Sequence, residues 1–93
     1  MKVGQFEILA VFDSGGDVAD RYTIVTDCQT GLGSSYDCLC LSSNPESPNM
    51  GFSQWGSGSL EVMRSKPHEF TEIAWDDLPG KVKSHATERL REE

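Results

Sequence analysis

Three cysteines and two histidines are the first residues to weigh for chemistry. Cys28, Cys38 and Cys40 are spaced C-x9-C-x-C, with His68 and His85 far downstream. Structural zinc sites most often draw their ligands from C-x-x-C pairs, and this spacing matches that pattern poorly. Residues i and i+2 share a strand face, so Cys38 and Cys40 could both reach Cys28 on a neighbouring strand. An odd cysteine count without a secretory leader argues against a disulfide framework. The simpler reading makes all three small, reduced, buried residues and leaves the chain without metal or other cofactor. A Cys–His hydrolase would also need an oxyanion hole and a cleft, and nothing in the sequence signals either. His68 follows Pro67 in a turn, and His85 borders an apolar helix stripe, so both read as structural or surface residues.

The carboxylates are the other candidates. The net charge is −7, and it is unevenly spread. Residues 1–61 carry two bases, Lys2 and Arg21, against eight acids; residues 62–93 carry six bases against seven acids. An acidic surface repels free nucleic acid and attracts basic surfaces, including those of proteins that themselves hold nucleic acid. The bland alternative is that acidity only keeps a small protein in solution. Asp13, Asp17 and Asp20 crowd one turn, and Asp27 and Asp37 lie within the later strand candidates. These five are the candidate partner-binding acids. "DSGGDVAD" does not follow the calcium-loop pattern, which ends on a glutamate. Gly15-Gly16 and Gly31-Leu32-Gly33 lack the Lys-Ser/Thr or the further glycine of a phosphate loop. No catalytic signature emerges, and no small-molecule substrate is expected. Arg64, Lys66, Lys81, Lys83, Arg89 and Arg91 read as a solvated face. The alternative is a surface that meets a phosphate backbone or an acidic patch.

The elements that must position these residues follow from the apolar pattern. A chain of 93 residues makes one domain, residues 1–93, with a thin core that would not easily house a deep cleft. Gln5–Phe12 reads as a strand, Asp13–Asp17 as a glycine turn and Arg21–Cys28 as a second strand, together an antiparallel hairpin. Tyr36–Ser42 alternates, with Cys38 and Cys40 on one face and Leu39 and Leu41 on the other. "SLEVMRS" (59–65) and Glu69–Trp75 are further strand candidates. At the C-terminus Leu78, Val82, Ala86 and Leu90 recur every fourth residue. This predicts an apolar helix stripe, with Asp76 or Asp77 as cap and Pro79 in the first turn. The expected fold is α+β: a small antiparallel sheet of three to five strands packed against one C-terminal helix. No run is long and apolar enough for a membrane span, and the N-terminus reads as a strand rather than a leader. The expected location is the cytoplasm.

One segment resists that scheme. "LSSNPESPNMGFSQWGSG" (41–58) has the composition of a loop, yet it holds Met50, Phe52 and Trp55. The favoured reading folds Phe52 and Trp55 back onto the thin core beside the helix. The rival reading makes Trp55 an exposed interface anchor. This block, with "EIAWDDLPGKVKSHATERL" (72–90), resembles the paired signature of small phage and mobile-element proteins. The matching residues are Asn44, Pro45, Pro48, Gly51, Phe52, Gln54 and Trp55, then Asp77, Leu78 and Pro79.

In size and acidity the chain further resembles a phage anti-CRISPR protein of the type I-F group. That resemblance implies a non-enzymatic inhibitor in the cytoplasm of an infected bacterium. It would dock on basic surfaces of the RNA-guided CRISPR surveillance complex, meeting its protein subunits and guide RNA, and block target DNA. The group shares no motif, so no functional residue transfers to this chain. A small accessory module that binds a host or phage protein through Phe52 and Trp55 is the alternative.

Overall fold

The β-branched and aromatic run "YTIVT" is buried at every position, which requires a strand covered on both faces. The computed structural model, which describes residues 1–16, 20–29, 35–44 and 53–92, supplies both covers. The elements run β1 (Lys2–Val3), β2 (Phe6–Asp13), β3 (Tyr22–Thr26), β4 (Ser35–Leu41) and β5 (Gln54–Ser59), then the short helix α1 (Leu60–Arg64), β6 (Thr71–Ile73), a 3-10 turn (Trp75–Asp77) and the helix α2 (Gly80–Glu92). The sheet order is β1-β2-β3-β4-β5, and β6 pairs with β2; every pairing is antiparallel. The α+β architecture expected from the sequence is the one observed. Among the described residues, no helix is long and apolar enough to cross a membrane.

On one face, Val3, Phe6, Val11, Tyr22, Ile24, Leu39 and Leu41 meet Leu78, Val82, Ala86 and Leu90, the stripe read from the sequence. On the other face, Ala10, Phe12, Val25 and Cys38 meet Met63, with Leu9, Tyr36, Leu60 and Phe70 at the margin. Phe12 and Phe70 lie edge to face, with ring centroids 6.1 Å apart. A register shift between Ile8 and Ala10 makes this two-sided packing possible. One extra residue reverses the alternation, so Phe6 and Val11 face α2 although their positions differ in parity.

Three sequence expectations are corrected. The segment 59–65 is helical rather than extended. Ser59 caps α1, its Oγ accepting from the Val62 N–H at 3.3 Å, and Glu61 occupies the first turn. The turn carries Met63 onto the second face of the sheet, where Gly58, lacking a Cβ, leaves room for the Met63 methyl.

The strand lies one step earlier. Gln54–Ser59 pairs with β4 along its length, inside the stretch whose glycines and serines suggested a loop. Finally, α2 starts at Gly80, just after Pro79, with the Lys83 N–H donating to the Pro79 carbonyl at 2.9 Å. Asp76 and Asp77 belong to the preceding 3-10 turn, and Asp77 Oδ2 accepts from the Ala74 N–H at 3.1 Å. They do not cap α2.

Candidate binding site

The β2–β3 hairpin places Asp13 at the end of β2, where it is a structural group. Its Oδ1 accepts from the Gly15 N–H at 2.8 Å and from Arg21 Nε at 2.9 Å, and its Oδ2 from Arg21 Nη2 at 3.3 Å. Gly15 and Gly16 have φ of 74° and 75°, which glycine adopts without strain. The Arg21 guanidinium also lies 5.1 Å over the Tyr22 ring. The Arg21 hydrogen bond holds the Asp13 carboxyl below its ordinary pKa of 3.8; burial opposes this shift, and the Gly15 N–H and the Arg21 charge support it. Asp20, exposed at the same end, accepts from Gln54 Nε2 at 2.9 Å and so ties the hairpin to β5. Asp17 lies outside the described residues.

Asp27 and Asp37 sit at the opposite end of β3. Asp27 is exposed; its Oδ1 accepts from the Glu7 N–H at 3.0 Å, and its own N–H donates to the Glu7 carbonyl at 3.0 Å. Asp37 is half-buried in β4, its N–H donating to the Cys28 carbonyl at 2.8 Å and its carbonyl accepting from Thr26 Oγ1 at 2.8 Å. The intervening strand of five residues sets the two groups roughly 17 Å apart at ~3.3 Å per residue. The structure therefore brings together Asp13 with Asp20 and Asp27 with Asp37, as two acidic ends rather than one cluster.

The thiols are divided between the two cores. Cys28 packs on the α2 side and Cys38 on the α1 side, so the convergence allowed by their spacing does not occur. Burial pushes the Cys38 thiol up to about 12, and the Cys38 Sγ donates to the Tyr36 carbonyl at 3.4 Å. Burial also raises Cys40, aided by the Asp20 charge. Cys28 is raised first by desolvation and then by its hydrogen bond to Asp37. The upward shifts keep all three in the protonated thiol form at neutral pH, in which they are weak nucleophiles. His68 is exposed and His85 half-buried. Among the described residues, no three His, Cys, Asp or Glu side chains converge in a way that would hold a metal ion.

Trp55 stands opposite Leu39 in β5, with its ring centroid 5.5 Å from that of Phe6. It packs against the α2-side core, and its Nε1 is buried with no acceptor among the described residues. The ring is half-buried and packs at the margin of that core; Phe52 lies outside the described residues. What sequence reasoning missed is the strand that carries Trp55, together with Glu61 at its far end. The available signal was the period-two placement of Gln54, Gly56 and Gly58 against Trp55, Ser57 and Ser59, hidden by the low β-propensity of glycine and serine. Comparison with known proteins returns no matching family model, curated protein or solved structure.

Proposed function

We propose that this chain works by binding rather than catalysis, docking the acidic ends of its sheet on a basic partner. The partner we infer is the RNA-guided surveillance complex of a bacterial CRISPR system, type I-F first, so that target DNA is excluded. The observation that carries the reading is the charge segregation. Residues 1–61 hold eight acids against Lys2 and Arg21, and Arg21 is engaged by Asp13. Exposed carboxylates at Asp20 and Asp27 present negative charge at both ends of the sheet, where they could stand in for phosphates on a basic path. The protonated thiols agree with a non-enzymatic role. The resemblance to small phage inhibitors supplies the choice of partner, and the inhibitor would act in the cytoplasm of the infected cell. The packing of Trp55 on Phe6 leaves less support for an accessory module that binds through that ring.

The test is association of the purified chain with a type I-F surveillance complex across a salt series, for wild type and for Asp20→Lys with Asp27→Lys. Asp13 is left in place because its carboxylate is already engaged by Arg21 and the Gly15 N–H. Salt-sensitive binding that weakens at least roughly tenfold in the double variant is expected. Equal binding by both proteins would overturn the proposal.

A further inference from the structure

The outer edge of β5 has the properties of a strand-docking site. The Asp37 N–H donates to Cys28, on the β3 side of β4. Backbone groups alternate in an antiparallel ladder, so Tyr36, Cys38 and Cys40 turn theirs toward β5, opposite Gly58, Gly56 and Gln54. The N–H and C=O groups of Trp55 and Ser57 then point away from the sheet. Among the described residues, no strand pairs with that side. Natural edges are commonly blunted by proline, charge, a bulge or short length. "QWGSGS" is six residues with neither proline nor charge. Among the described residues, a side chain at Gly56 would meet nothing within 4 Å.

The surrounding charge indicates what fits. Asp20 stands at one end of β5, bonded to Gln54, and exposed Glu61 at the other, in the first turn of α1. Asp37 lies between them, opposite Ser57. Arg64, the nearby base at the α1 end, is held by both carboxylate oxygens of Glu72 at 3.0 Å. We propose that the outer edge of β5 takes a basic, extended segment of a partner protein as an added antiparallel strand. Main-chain hydrogen bonds from Trp55 and Ser57 would supply affinity, and Asp20 and Glu61 would select Lys or Arg side chains. This deepens the reading of the chain as an acidic binding protein and rests on it, but it does not depend on which protein is bound.

The test titrates the full-length, isotope-labelled chain with a short acetylated peptide of alternating lysine and threonine. A glutamate–threonine peptide serves as control. Slowed amide exchange and shift changes at Trp55 and Ser57 are expected, with Gly56 and Gly58 little changed because they already bond to β4. Ser57→Pro removes one outward N–H and spares the ladder to β4; it should weaken binding roughly tenfold or more. Asp20→Asn with Glu61→Gln leaves the backbone edge intact and should remove the salt dependence, which decides the matter should the proline variant not fold.

Four results would overturn the proposal: slow exchange at Trp55 and Ser57 in the chain by itself, peptide binding that maps elsewhere, equal affinity for the acidic peptide, or no peptide binding. Any of these leaves the surveillance-complex experiment able to succeed by another surface. Failure of that experiment with the peptide result intact would reject the choice of partner and keep the edge.

Discussion

The sheet ends differently on its two sides. On one side, the outer edge of β2 is closed by β1 against Phe6–Glu7 and by β6 against Val11–Asp13. Those outermost strands are two and three residues long and carry Lys2 and Glu72, the kind of short, charged edge that resists further pairing. The β1–β2 turn at Gly4 is pressed against the C-terminal end of α2, where an added Cβ would stand 2.7 Å from the Leu90 carbonyl oxygen. On the other side, β5 is six residues with neither proline nor charge. The difference separates an edge covered by short, charged strands from one that, among the described residues, no strand covers.

Substitutions should separate the two sides by their cost, read as urea-unfolding midpoints. Leu90→Ala is expected to be the most damaging, by about 2–5 kcal/mol, because Leu90 is fully buried where α2 supports the closed side. Gly4→Ala should cost about 2 kcal/mol, since φ is 60° there and the Leu90 backbone cannot easily give way. A small effect at Gly4 would mean that the β1 turn is not fixed against α2. At β5, Gly58→Ala should cost only about 1 kcal/mol, because the Met63 methyl it would meet lies at the end of a flexible side chain. Gly56→Ala should stay within about 0.5 kcal/mol, with nothing nearby to obstruct it.

A pH series sharpens the hairpin end. The folded pKa of Asp13 lies below its ordinary 3.8, so the Arg21 pair stabilises the fold fully above that value. The contribution is lost as pH falls from 3.8 through the folded pKa. Asp13→Asn should therefore lower stability by no more than about 1 kcal/mol at neutral pH, and it should flatten the acid side of the stability curve. Glu72, also lowered by its Arg64 hydrogen bond, keeps the same sign on the other side of the molecule.

Much of the fold was legible from periodicity. The stripe Leu78, Val82, Ala86 and Leu90 is fully or nearly fully buried, and Leu39 and Leu41 face it from β4 as alternation requires. The hairpin glycines were legible too, because the turn demands positive φ. The second core was not. Met63 and Phe70 reach the far face of the sheet through a one-turn cap and a connecting segment, neither of which leaves a periodic trace. β5 was hidden for a related reason: its pairing is imposed by β4 against the local preference of glycine and serine. The acids were visible as types, but their partners were not. Only the folded hairpin reveals that Asp13 is occupied by Arg21, whereas Asp20 remains exposed beside Gln54.

The most direct measurement is residue-resolved amide exchange of the chain, by itself and with the type I-F surveillance complex. In the isolated chain, Trp55 and Ser57 should exchange quickly while Val11 and Asp13, whose amides face β6, exchange slowly. Addition of the complex should slow Trp55 and Ser57 selectively, and high salt should reverse the change. Slow exchange at both edges before binding, or protection by the complex that bypasses β5, would contradict an open edge as the docking element.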